Sequence, residues 1–107
     1  MKMILAIINH DDAHSVIQAL SHGGFRVTKL ATTGGFLMAG NVTVLTCVDD
    51  DKVQEVLDII KKGSHSRKQV IPTTSEMGMG FAPTMPVEVV VGGATVIILN
   101  VERFEQI

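Results

Sequence analysis

The chain contains no tryptophan and no tyrosine, and its only aromatic side chains are four phenylalanines. Its core therefore has to be built from Val, Ile, Leu, Met and Ala. Cysteine is almost absent too. The single Cys47 excludes a disulfide framework and fits a reducing compartment, which makes the cytoplasm the expected location. No Lys/Arg cluster is found beyond Lys61-Lys62 and Arg67-Lys68, and the net charge is -2. This balance excludes a protein that grips long nucleic acid through its phosphates. The apolar run in the opening MKMILAIIN is too short for a membrane span, and no small-residue cleavage site follows it, so neither membrane insertion nor a secretory leader is expected.

Missing motifs narrow the chemistry as well. Neither a Walker A sequence nor GxGxxG occurs, because Gly34-Gly35 is followed by Phe36 rather than by a lysine and a hydroxyl. A nucleotide hydrolase is disfavoured on that ground. His10 and His14 stand four apart but lack a third ligand of matching spacing, so they read as solvated surface residues rather than a metal site. The run Asp49-Asp50-Asp51 lies where a helix start and its dipole favour carboxylates, and capping is preferred to magnesium binding. Cys47 sits in a strand-like run with no His or Lys placed beside it by the sequence, which suits a packed thiol better than a nucleophile. No paired acid and base is visible, so catalysis, including that of a small acyl phosphatase, is not expected.

What is present organises 107 residues as one domain, residues 1–107, long enough to bury roughly two thirds of its unfolded surface without staples. Met3 to Ile8 is a continuous apolar run, the pattern of a strand covered on both faces. Asp11 or Asp12 is then expected to cap a helix with Ala13, Val16, Ile17 and Leu20 on one face, stopped by Gly23-Gly24. Phe25, Val27 and Leu30 mark a second strand whose alternation slips after Lys29, and Val42 to Val48 a third. A second helix presents Val53, Val56, Leu57 and Ile60.

The two halves align at a constant offset of forty residues, pairing Asp11 with Asp51, Val16 with Val56, Leu20 with Ile60 and Gly23 with Gly63. A strand, helix, strand unit written twice predicts an α+β fold of the ferredoxin-like kind, an antiparallel sheet with both helices on one face. After the second helix, Ser64 to about Met85 has no clean period and reads as a long, functional or structureless loop. Val87 to Val101 then reads as two strands folded into a tight hairpin about Gly92-Gly93, with Glu102 to Ile107 closing in a short helical turn.

The stretch TKLATTGGFLMAGN, Thr28 to Asn41, stands out from this frame. Thr28, Thr32, Thr33 and Asn41 supply donors and acceptors, glycines let the backbone approach a ligand closely, and Phe36 offers a flat face for a base. Arg26 just before it suits a phosphate. Read from its residues alone, the stretch is either a loop that holds a nucleobase and a phosphate or a plain glycine-rich connection.

The run FRVTKLATTGGFLMAGN, together with PVEVVVGGATVIILNV and a Gln next to the last residue, resembles the PII-like cyclic di-AMP receptor family of Gram-positive bacteria. The resemblance covers essentially the whole chain. It implies a PII-like, ferredoxin-like protomer that forms a homotrimer, uses no cofactor, and binds cyclic di-AMP in pockets between subunits. It further implies a non-enzymatic signalling role in which two loops respond to ligand and alter docking to an unidentified downstream protein. Carried over residue by residue, it makes Arg26, Thr28, Gly35, Phe36, Leu37, Asn41, Cys47, Gly92 and Gln106 ligand-binding positions. Gly24, Met38 and Cys47 depart from the family's usual Asn, basic residue and Gly. Those departures motivate a second expectation, a PII-like trimeric interaction module that takes another nucleotide such as ATP or no ligand.

Overall fold

A computed structural model of the chain describes residues 1–30, 40–72 and 86–107. Its elements are β1 (Lys2–Asn9), α1 (His10–His22), β2 (Thr28–Leu30), β3 (Asn41–Val48), a 3₁₀ turn (Asp50–Lys52), α2 (Val53–Ser64), β4 (Arg67–Pro72), β5 (Pro86–Val91) and β6 (Ala94–Asn100). One sheet has the order β2-β3-β1-β6 and every pairing in it is antiparallel; β4 and β5 form a separate two-stranded antiparallel arm. The fold is α+β.

Alternation along β1 and β3 decides where the core sits. Ile4, Ala6 and Ile8 of β1 and Val42, Val44 and Val48 of β3 point to one face and are buried there with Ala13, Val16 and Leu20 of α1 and Val56 and Ile60 of α2. Full burial of residues such as Ile4, Leu20 and Val56 contributes about 1.5 to 3 kcal/mol each. The opposite face carries Met3, Leu5 and Ile7 of β1 with Thr43, Leu45 and Cys47 of β3, all half-buried. Strand register places Ile97 opposite Leu5 and Leu99 opposite Met3, which extends that apolar face onto β6.

Several local expectations need correction. The cap of α1 is Asn9, whose side chain accepts the Asp11 N–H at 2.9 Å; neither Asp11 nor Asp12 fills that place. Asn9 also ends β1, so strand and helix join without a spacer. The helix does stop at the expected glycines: Gly23, Gly24 and Phe25 donate their N–H groups to Ala19, Ser21 and Leu20, with Gly24 at φ +88°. Gly63, expected to stop the second helix, lies inside α2 instead. A Cβ there would stand 2.8 Å from a Val16 methyl, so this glycine lets the helices touch. The second strand is shorter than its pattern, beginning at Thr28 rather than Phe25.

The expected hairpin about Gly92-Gly93 does not form. β5 pairs with β4 and β6 with β1, so the two strands belong to different sheets. Gly92 and Gly93, at φ +81° and +83°, make the corner between them. Part of the stretch taken for a structureless loop is ordered as β4, while residues 73–85 lie outside the described residues. The tail after β6 runs on without the expected helical turn.

Candidate functional site

The sheet places Arg26, Thr28 and Cys47 at one of its ends and Asn41 and Gly92 at the other. At the end where Lys2 faces Val48 and Asn100, a cleft of about 560 Å³ opens beside β2 and β3. Arg26, Thr28 and Cys47 line it, three of the positions expected to bind ligand. Thr28 faces Leu45 across the β2–β3 ladder and shares the open sheet face with Leu45 and Cys47.

Arg26 precedes β2 and has no ladder to hold it, yet its backbone is anchored. Its carbonyl accepts the Thr46 hydroxyl at 2.6 Å, and the preceding Phe25 N–H donates to Leu20. Thr46 is 4 % exposed and sits among valines on the helix-facing side of β3. A buried hydroxyl needs a partner, and this one uses it to fix the residue that carries the guanidinium. In the sequence Thr46 carries one signal of this role, a threonine in the buried phase of a valine-rich strand.

The cleft gains further groups that no sequence motif ties to it. Lys52, from the 3₁₀ turn before α2, adds a second cation, and Phe25 and Phe104 add rings. Asp49, expected in a capping role, makes no side-chain cap and lies in the cleft wall. Asp50 instead accepts from the Met1 amine at 2.9 Å, and that hydrogen bond, helped by the amine's charge, holds its carboxyl below the usual range. The site therefore has an apolar floor, a thiol, two cationic side chains, one carboxylate, two rings and two threonine hydroxyls, of which that of Thr46 is already bonded to the Arg26 carbonyl. That mixture suits an anionic ligand with flat apolar parts.

The remaining predicted residues lie elsewhere. Asn41 opens β3 at the other end of the sheet, opposite Asn9, roughly 20 Å from Cys47 at the rise of an extended strand. Gly92 is at that far end too, where an added Cβ would sit 2.6 Å from a guanidinium nitrogen of Arg67 and 2.7 Å from the His65 carbonyl. Gln106 is exposed in the tail that leaves β6 on the cleft side. Gly35, Phe36 and Leu37, together with the departure at Met38, lie outside the described residues. His10 and His14 are both exposed on α1, and among the described residues no group of three metal-ligating side chains converges. No helix among these residues is long and apolar enough to cross a membrane.

Fold and cleft together define a small α+β domain with a ligand-sized site at one end of an antiparallel sheet. The chain belongs to the cyclic-di-AMP receptor family, whose model matches residues 1–107. It is also similar to a solved structure described as a functionally unknown protein from Pediococcus pentosaceus. The two are 40% identical in sequence with a TM-score of 0.76, over 99% of this chain and 96% of that one.

Proposed function

We propose that this protein is a non-enzymatic cytoplasmic receptor that binds cyclic di-AMP and passes its ligand state to another protein. The observation that carries the reading is the cleft lined by Arg26, Thr28 and Cys47, found in a chain of the cyclic-di-AMP receptor family. In it Arg26 and Lys52 face phosphate, the Thr28 hydroxyl donates a hydrogen bond, and a ring such as Phe25 or Phe104 borders an adenine. Ligand in this reading takes the place of a cofactor, and no group of the cleft is asked to break a bond.

The protomer is ferredoxin-like and PII-like, with β6 completing the sheet beside β1, and it acts as a homotrimer. Two features support assembly. Asn41 and Gly92 lie at the opposite end of the sheet from Arg26, so they join one pocket only if a second copy brings its own end alongside. Also, Ile97, Ile98 and Leu99 are each more than two fifths exposed on an edge strand paired on one side, an apolar surface that a monomer seldom leaves uncovered. The connection between β2 and β3 and the β4–β5 arm are the signalling parts.

A thermal-shift panel of cyclic di-AMP, cyclic di-GMP, ATP and AMP tests the ligand. Only a ligand that prefers the folded state raises the midpoint. Cyclic di-AMP is expected to give the largest rise; a larger rise with ATP would replace this reading with that of an ordinary nucleotide-binding PII-like module.

A further inference from the structure

The first turn of α1 is where distant parts of the chain are tied together. Asp12 is 8 % exposed although it is a carboxylate. Its two oxygens receive the two terminal nitrogens of Arg67 at 3.0 and 3.3 Å, a forked pairing across 55 positions of sequence. Arg67 is the first residue of β4, and one of those nitrogens also donates to the His65 carbonyl at 3.2 Å. Gly92, the first residue after β5, comes so close that a Cβ there would overlap the guanidinium. The ion pair thus holds the β4 root of the arm against α1, and the β5 root, paired to it through Val91, packs beside the guanidinium. The hydrogen bond to Asp12 raises the Arg67 pKa, so the arginine end of the pair keeps its charge.

The same turn holds a second connection. The backbone N–H of His10 donates to the Gly40 carbonyl at 2.5 Å, which fixes the residue that leads into β3 two positions from Asp12. Since β1 passes into α1 with Asn9 as both strand end and cap, this turn has no slack in which to absorb a displacement. Among the described residues no other ion pair ties the arm to the body. Apart from this clamp, the Lys68–Glu88 pair at 3.3 Å links one arm strand to the other rather than to the body.

We propose that the Asp12–Arg67 pair is a latch that sets the attitude of the β4–β5 arm, and that α1's first turn couples this latch to the end of the β2–β3 connection at Gly40. The coupling half rests on the cyclic di-AMP reading above; the latch half does not. In the trimer reading Asn41 reaches a neighbouring copy's cleft, so ligand there shifts the adjacent Gly40, which moves His10 and with it the carboxylate that grips Arg67. The arm is thereby released or tightened according to what occupies the site.

Hydrogen exchange followed by mass spectrometry on the full-length wild type and on Asp12→Asn, with and without cyclic di-AMP, tests both halves. Asn keeps the shape and removes the charge that orients the fork. Without ligand, exchange of β4 and β5 amides is expected to rise by about tenfold or more in Asp12→Asn while β1 and β3 stay unchanged. Equal arm exchange in the two proteins overturns the latch. With ligand, wild-type arm exchange is expected to change and the variant's is not, although the variant still binds cyclic di-AMP within a few-fold of wild type. A ligand response that survives in the variant overturns the coupling. A wild type that fails to bind cyclic di-AMP overturns the coupling together with the receptor reading, and the unliganded comparison still decides the latch. If Asp12→Asn does not fold, Arg67→Gln breaks the same pair from the more exposed side and carries the same expectations.

Discussion

Thr28 and Gly63 show how single side chains divide between ligand and fold. Thr28 is exposed on its short strand and lines the cleft, so its hydroxyl is free for a ligand at little cost to the protomer. Thr28→Val is expected to leave the melting temperature within about a degree or two and to weaken cyclic di-AMP binding by roughly 1 to 3 kcal/mol, the scale of a lost hydrogen bond to a charged group. Calorimetric titration of the variant checks this, and wild-type affinity would show that the hydroxyl faces away from the ligand. Gly63 acts in the opposite sense. Alanine there gains up to about 1 kcal/mol of helix propensity. It also drives a methyl into the γ-carbon of Val16, a stiff and fully buried side chain, at a cost of about 1 to 3 kcal/mol. The collision outweighs the propensity. Gly63→Ala should melt several degrees lower, and a higher midpoint would mean that the helices can part without loss.

Among the elements, those whose residues answer to one local cause were legible and those built by distant pairing were not. β1 follows from its unbroken apolar run, although only one of the two faces expected to be covered is buried, and the buried stripes of α1 and α2 follow from periodicity, since Val16, Leu20, Val56 and Ile60 are the positions that a 3.6-residue period selects. The cap was misplaced because Asn9, Asp11 and Asp12 are all competent caps, and only the abrupt end of β1 picks Asn9. Two apolar runs around Gly92-Gly93 look like a hairpin, yet the choice of partner for β5 lies some twenty residues upstream, in a β4 that carries no clean alternation. In the cleft, Arg26, Thr28 and Cys47 are positions that the family resemblance singles out, whereas Lys52 and Phe104 arrive from other parts of the chain and have no spacing that ties them to Thr28. The arm also yields a prediction of its own. Lys68, Val70, Glu88 and Val90 of β4 and β5 are exposed, and none of them belongs to the core cluster. Val70→Thr together with Val90→Thr, at positions 61% and 69% exposed, should therefore keep the far-ultraviolet circular dichroism and leave the melting temperature within about a degree or two. A collapse of the transition would place part of the core in that arm.

At the scale of the whole molecule the account depends on copies meeting through the open sheet face. Leu5, Leu45, Ile97 and Leu99 form an apolar surface that ends at an unpaired strand edge. Ile97→Asp puts a charge in the middle of it. The protomer should still fold, because Ile97 is already 45% exposed. Sedimentation velocity should show the assembly shift from trimer toward monomer. An unchanged trimer would place the interface elsewhere, and a monomeric wild type would remove the shared-pocket argument.

Isothermal titration of the intact wild-type protein decides whether this chain binds cyclic di-AMP at the Arg26–Thr28–Cys47 cleft. Saturable heat with one ligand per protomer is expected, weakened in Thr28→Val. No heat at protein concentrations well above micromolar would contradict it.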